Sequence, residues 1–440
     1  MVAGRKLILV VIDGLTPSML EATLERGGAR SLAFLAEHGR YRRAVSTFPS
    51  LTPVCLSSLA TGSHPDVHEI PHLVWYHRGE QRIVEYGSSF GAVRAAGTRK
   101  SLGDTIYGLN AQHLGSRSVT VYEALEDAGL TAAAVNITCY RGRVAHRPTV
   151  PFLTRPAYGP SRFFFYNLFE SDVTGAPLSV RNRQRGTIDA YAVAVGRWLV
   201  TRDGFDFLVY YLSDYDYASH LQGPDAAHDV LARCDEAVGA LIEAAGGPEE
   251  FLERYAVILC SDHGQTTVRD VAQLAPVFPE GLVTASNRAA MVYAESDVAA
   301  LARRLDGHPS VEVALWREGD EAVARRDGAE LRFTQTGTSG DSGILDHPHG
   351  QERAWAALAN PNAGELLVSA ADGWEFADLA GGHHVGGGSH GSLLAGDSEV
   401  PMLTVGLEVL PGSITEVMPA VLEHFGVEPP PYARPLTGAT

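Results

Sequence analysis

The sequence predicts an α/β sandwich, a central and mostly parallel sheet flanked by helices, with a small inserted α+β subdomain. Three observations predict it. Continuous apolar runs recur along the chain: "KLILVVID" (6–13), "TAAAVNI" (131–137), "FDFLVYYLSD" (205–214), "YAVILCSD" (255–262) and "PMLTVG" (401–406). Unbroken runs of this kind suit strands buried on both faces of a parallel sheet. Segments with helical spacing separate them, and one long stretch between the fourth and fifth runs breaks the alternation.

Taken in order, the first run follows Arg5 and Lys6, is short and ends in an acid. It lacks the small-residue cleavage pattern of a secretion leader and reads as a buried first strand. A helical pattern over 16–39 opens with Thr16 as N-cap and Pro17 at the first helical position. Further helical patterns cover 118–129, 225–246 and 413–426. Residues 138–184, rich in Arg, Pro and aromatics ("RPAYGPSRFFFYNLF"), predict a long excursion over the sheet edge. Residues 284–380 hold a strand ("AAMVYA"), a helix ("ESDVAALARRLDG") and a hairpin ("VEVALWREGDEAVARRDGAELRF"), enough for an inserted subdomain. The core is then discontinuous, 1–283 and 381–440.

With 440 residues, 45% of them hydrophobic, the chain can bury a large core. Its 35 basic against 52 acidic residues give a formal charge of −17, which excludes a broad basic face for nucleic acid or an anionic membrane. An anionic substrate must then be drawn in by something other than surface lysines, and bound cations are the natural means. No stretch reaches the roughly 20 apolar residues that span a bilayer. Cys55, Cys139, Cys234 and Cys260 are scattered and form no CxxC pair, so they read as reduced, buried cysteines of a cytoplasmic protein.

In a parallel α/β sheet the active groups gather at the carboxyl ends of the strands. Those ends carry Asp13, then Asp214 and Asp216, then Asp262 with His263. His220 follows Asp216 by four residues and shares its face if a helix begins there. The late segment "GGHHVGGGSHG" adds His383, His384 and His390. One Asp after a buried strand is commonly only a helix cap. Several carboxylates and imidazoles at one sheet edge exceed what independent caps explain, and such a mixture suits two zinc (Zn2+) or manganese (Mn2+) ions rather than one. Two cations can hold the attacking and departing oxygens of an in-line displacement at phosphorus. Thr52, in "SLTPVCLSSLATGSHPDVHEIP" (50–71), can supply the attacking hydroxyl, since a dication and a helix N-terminus both favour its alkoxide.

These motifs resemble the alkaline phosphatase superfamily, and most closely its nucleotide pyrophosphatase/phosphodiesterase branch. There a nucleophilic threonine starts a helix ending in a T-G step, followed by a proline and a histidine; Thr52, Thr61-Gly62, Pro65 and His68 stand at matching spacings. "DYASHLQGP" (216–224) resembles the branch's D-x-x-G-H-x-x-G-P, with Ser219 where glycine is usual. "SDHG" (261–264) matches outright, and "SHGSLLAGDSEVPML" (389–403) resembles the late H-G segment. The resemblance implies an alkaline-phosphatase-like sandwich with two divalent metal ions. One is held by Asp216, His220 and His390, the other by Asp13, Asp262 and His263, with Thr52 facing the latter and becoming transiently phosphorylated. It implies hydrolysis of a small-molecule phosphate diester or pyrophosphate, with phosphomonoester hydrolysis or phosphomutation as the alternative.

The departures bear on the substrate. Pro53 stands where the branch has a base-stacking phenylalanine, and Leu73 where it has an asparagine for a non-bridging phosphate oxygen. A nucleotide is disfavoured on this basis, and His72 or a backbone amide becomes the expected oxyanion contact. A sulfatase shares the fold but needs C/S-x-P-x-R, and Cys55 is followed by "LSSL". A catalytically inert metal- or partner-binding module is opposed by the complete set of nucleophile and ligands. The stretches "LVWYHRGE" (73–80) and "SRFFFYNLF" (161–169) read either as a wall for the leaving group or as packing against the sheet.

Overall fold

A computed structural model describes residues 4–150, 153–173 and 187–433. The predicted 138–184 excursion therefore lies partly outside the described residues. Its central sheet has eight strands in the order Arg40–Val45, Glu399–Val405, Tyr255–Cys260, Lys6–Ile12, Phe207–Leu212, Ala132–Val135, Arg162–Phe165 and Phe169–Ser171. The five strands from Tyr255–Cys260 through Arg162–Phe165 run parallel. The remaining three, at the two edges, pair antiparallel.

The pleat explains the unbroken apolar runs. Along Lys6–Ile12, Leu7, Leu9 and Val11 pack on one side with Val54, Leu56 and Leu59 of the helix Thr52–Thr61 and with Val417 and Val421. Ile8, Val10 and Ile12 face the other side, against Met19, Leu32, Val195 and Val230. Both faces are covered, so every position must be apolar. The predicted cap at Thr16 forms, with Met19 N donating to its Oγ1 at 3.2 Å. The single helical pattern over 16–39 is two helices, Pro17–Glu25 and Arg30–Glu37, because Gly27 takes a left-handed φ of 68° between them.

Two predictions need correction. The aromatic stretch 161–169 is no excursion: Arg162–Phe165 and Phe169–Ser171 are sheet strands, and Phe163, Phe165 and Phe169 are buried in the core. Register with Ala132–Val135, not local pattern, makes Arg162–Phe165 a strand, and Phe169–Ser171 pairs back on it. The region after residue 281 is more than a strand, a helix and a hairpin. It builds a seven-stranded sheet in the order Leu282–Ser286, Ala289–Tyr293, Leu366–Ala370, Val311–Glu318, Glu321–Arg326, Ala329–Phe333 and Thr338–Gly340. All its pairings are antiparallel. Helix Val298–Arg303 covers one face and Gly350–Ala359 the other, where Phe48 and Leu393 of the neighbouring loops join the same cluster. The fully buried Arg288–Asp397 ion pair, 2.7 Å, ties this sheet to the short helix Ala395–Ser398, and Arg353, donating to Thr47 O at 3.0 Å, ties it to the loop before Thr52.

Candidate active site

The strand ends place the acids as the sequence expects. Asp13 follows Lys6–Ile12, Asp262 and His263 follow Tyr255–Cys260, and Asp216 and His220 share the helix Asp214–Gln222. The chain turns sharply after Asp13. Gly14 has φ +69°, and a Cβ there would lie 2.7 Å from Gln265 Nε2 and 2.8 Å from Asp216 Oδ1, so only glycine fits. Gly14 N donates to Asp262 Oδ1 at 3.2 Å, which binds the first and third acidic ends together.

Thr52 opens the ten-residue helix Thr52–Thr61, which ends at Gly62 in the left-handed region. Thr52 Oγ1 lies 3.1 Å from His263 Nε2. That nitrogen is 3.4 Å from Asp13 Oδ1 and 3.5 Å from Asp262 Oδ2. Asp216 meets His220 Nε2 at 3.3 Å through one oxygen and His390 Nε2 at 3.9 Å through the other. Thr52, Asp13, Asp216, His220, Asp262, His263 and His390 thus form one connected group. Its division differs from the expectation in one respect: the donors that approach within 4.8 Å of one another are Asp13, Asp262 and His263 on one side, and Asp216, His263 and His390 on the other. His263 belongs to both because its ring stacks on His390 at 3.6 Å, leaving His220 to reach Asp216 from the far side.

The three imidazoles are oriented alike. Nδ1 of His220, His263 and His390 donates to the carbonyls of Gly388 (2.7 Å), Gly264 (3.0 Å) and Ser50 (2.7 Å). Each Nε2 therefore carries its lone pair inward, as a metal-ligating histidine requires. Asp13 Oδ1 and Asp262 Oδ2 are buried with no hydrogen-bond partner. Buried carboxylate oxygens are costly unless paired or bound to metal, so the donor set fits divalent cations.

The charges point the same way. Burial, then Asp262 and Asp216, push the Asp13 carboxyl well above the carboxylate range, and burial raises Asp262. Burial also acts upward on Asp216, but His220, His390 and His263 outweigh it and hold that carboxyl far down. Burial and His263 drive His390 down to a neutral ring, while Asp216 raises His220 against burial. The protein alone leaves Asp13 and Asp262 short of positive charge, and a dication beside their orphaned oxygens would supply it.

Other singled-out residues have different roles. Both His72 nitrogens are engaged by backbone, Nε2 with Ala289 O at 3.2 Å and Nδ1 accepting from Val74 N at 3.1 Å, so the ring has no nitrogen for an oxyanion and that expectation is withdrawn. His68 fastens the returning chain to the helix through Ser58 Oγ at 3.1 Å, and burial drives its pKa down to about 3. Asp214 turns away, its carboxylate accepting from Asp189 N at 3.4 Å. His384 stacks on His220 at 4.1 Å and bonds Glu375 Oε2 at 3.0 Å, whereas His383 is exposed. Trp75 is buried in a short hairpin and Tyr76 packs on Tyr293 of the second sheet.

Three supporting residues escaped sequence reasoning. The Tyr211 hydroxyl donates to Asp13 Oδ2. Gln265 Nε2 donates to Asp216 Oδ1, and its Oε1 accepts from Ser219 Oγ at 2.5 Å, so Ser219, where glycine is usual, helps orient a ligand. Asn287 Nδ2 lies 2.9 Å from His390 Nε2. Gln265 directly follows "SDHG" and Tyr211 is one residue from a strand end; both positions were legible, their partners were not.

A family model described as type I phosphodiesterase / nucleotide pyrophosphatase matches residues 7–393. No curated sequence is significantly similar. Among solved structures, murine ectonucleotide pyrophosphatase/phosphodiesterase 5 is similar at 13% identity over 97% of both chains, with a TM-score of 0.63. Phosphonoacetate hydrolase from Sinorhizobium meliloti 1021, in complex with phosphonoformate, is similar at 18% identity over 96% of both chains, with a TM-score of 0.64. At these identities the two likenesses establish the fold. The chain belongs to the type I phosphodiesterase / nucleotide pyrophosphatase family and is a metal-dependent phosphoric ester hydrolase with that family's α/β architecture.

Proposed function

We propose that the chain is a two-metal phosphodiesterase or pyrophosphatase acting through a phosphothreonine at Thr52. The observation that carries this reading is the place of Thr52 Oγ1. It opens a buried helix, where free N–H groups and the helix dipole favour anionic phosphate, and it lies 3.1 Å from the histidine nitrogen shared by both carboxylate groups.

Asp13, Asp262 and His263 would hold one ion, and Asp216, His220 and His390 the other. Imidazole with carboxylate suits zinc first and manganese second. When bound, the ions neutralise phosphoryl oxygens and depress the Thr52 hydroxyl pKa. Thr52 Oγ bonds to phosphorus as the bond to the leaving oxygen breaks, and the hydroxyl proton departs on the released alcohol or phosphate. Water then cleaves the phosphothreonine, giving the second product and restoring the hydroxyl. Tyr211 and Gln265 hold Asp13 and Asp216 in place throughout.

A phosphorus oxyanion substrate is in keeping with the similar structures, one holding phosphonoformate and another, an inactive variant of the murine protein, in complex with AMP. Buried Pro53 and apolar Leu73 favour a diester without a nucleobase. The four cysteines are free and buried, which supports a reducing, cytoplasmic setting. The test is hydrolysis of a chromogenic phosphodiester and its matched monoester by metal-loaded protein, with Thr52→Ala alongside. Diester preference abolished in the variant is the expected result. Monoester preference moves the chain to phosphatase or mutase chemistry, and undiminished turnover in the variant removes Thr52 as nucleophile.

A further inference from the structure

We propose that Asn287, delivered by the second sheet, is the amide that binds a non-bridging oxygen of the phosphoryl group presented to Thr52; this rests on the phosphoryl-transfer reading above. Asn287 sits in the two-residue turn between Leu282–Ser286 and Ala289–Tyr293, at φ 56°, a left-handed conformation that asparagine tolerates. The turn is clamped on several sides. Arg288 N donates to His390 O at 2.9 Å, and Phe376 N donates to Asn287 O at 2.7 Å. The buried Arg288 guanidinium reaches Asp397 at 2.7 Å and the carbonyls of Trp374 and Ala371, each at 2.9 Å. With 6% of its surface exposed, Asn287 is held in place at its backbone by these contacts, while its side chain keeps its own rotations.

The direction of its carboxamide follows from its neighbours' chemistry. Ser286 Oγ donates to Asn287 Oδ1 at 3.0 Å, which turns the NH2 end inward. His390 donates from Nδ1 to Ser50 O, so its Nε2 is an acceptor and the Nδ2 beside it, 2.9 Å away, is a donor. That Nε2 lone pair is one of the inward-facing donors of the Asp216, His263 and His390 group. A cation held there takes the lone pair, and the Asn287 carboxamide, turned aside from it by rotation of its own side chain, keeps an N–H beside the ion without its acceptor. A buried donor in that position is satisfied by an oxygen of an anion sharing the ion. His72 and Leu73 cannot serve, since both His72 nitrogens are occupied by backbone and Leu73 is apolar.

The experiment is calorimetric titration of inorganic phosphate into metal-loaded protein, with metal per chain measured on the same samples, for the wild type, Asn287→Gly and Asn287→Asp. Glycine keeps the left-handed turn. We expect Asn287→Gly to retain the wild-type metal content and bind phosphate roughly 10- to 100-fold more weakly, the loss of one charge-assisted hydrogen bond. Asn287→Asp should hold metal at least as tightly and phosphate more weakly still, a divergence that a merely structural role does not produce. Phosphate affinity within about twofold of wild type in both variants overturns the proposal, as does loss of metal from Asn287→Gly. Wild-type phosphate binding that is the same without metal overturns the phosphoryl-transfer reading itself, a failure distinct from that of Asn287 alone.

Discussion

In the central sheet, Phe207–Leu212 and Tyr255–Cys260 are buried at every position and run into Asp214–Gln222 and Asp262. In the second sheet, Glu321–Arg326 and Ala329–Phe333 begin exposed, mix buried with open positions and hand over directly to the next strand. The difference is one of direction. Parallel strands all finish on the same side, so their following residues converge on one edge. Antiparallel hairpins send successive ends to opposite sides, and such a sheet can reach the site only through a single turn. The parallel strands of the central sheet therefore lead to Asp13, Asp216, His220, Asp262 and His263; Thr52 and His390 come from the segments after Arg40–Val45 and Gly388–Ser389, and the second sheet supplies Asn287 and an anchoring ion pair.

That contrast can be broken in several places. The largest effect belongs to Thr52→Ala, expected to lower diester turnover at least about 1,000-fold with metal content and fold intact, checked by initial rates beside metal analysis. Turnover persisting at wild-type level would show that the central edge does not carry the chemistry. Next comes the join between the sheets. Arg288→Met strands the fully buried Asp397 carboxylate and should cost about 3–5 kcal/mol in denaturant unfolding. No loss of stability would mean that the second sheet docks without this pair.

A smaller effect tests a buried acid of the central layer that lies off the ligand set. Burial and then Asp214 push the Asp189 carboxyl up to about 7, from an ordinary 3.8. A raised folded-state pKa gives stability that is complete below the ordinary value and is lost as pH rises through about 7. Asp189→Asn keeps an oxygen for the Ser213 and Asp214 N–H groups while removing the titration. It should gain on the wild type between pH 4 and 7, on the order of 2 kcal/mol by pH 8, in parallel unfolding curves. A pH-independent difference would refute the assignment. Smallest is Ser58→Ala, which leaves His68 Nε2 without its partner and should cost about 1 kcal/mol; a measured change near zero would show that the returning chain is held by packing alone.

The same contrast explains what was readable. Unbroken apolar runs mark strands buried on both faces, and the residue after each such run is fixed by the run itself, so Asp13 and Asp262 were identifiable without any contact being known. Asp216 and His220 were identifiable from helical spacing, and Thr52 from its place before Pro53. Mixed patterns carry less, because Leu282–Ser286 or Leu366–Ala370 is as compatible with a surface hairpin as with a sheet interior. Arg162–Phe165 was hidden by flanking Pro and Arg, and only pairing with Ala132–Val135 makes it a strand. Asn287 was invisible for a further reason: "SNR" between two strands reads as an ordinary turn, and its importance lies in a histidine 103 residues away.

The parallel pairing also sets when the site exists. Tyr211 meets Asp13 across 198 residues, Gly14 meets Asp262 across 248, and His390 meets Ser50 across 340. Each contact closes a very long loop, so the ligands assemble only once the central strands are in register. A cation has nothing to template on the nascent chain beyond isolated carboxylates and imidazoles. Metal uptake should thus follow the rate-limiting folding step, and the kinetics of metal capture during refolding would time the closure of the sheet.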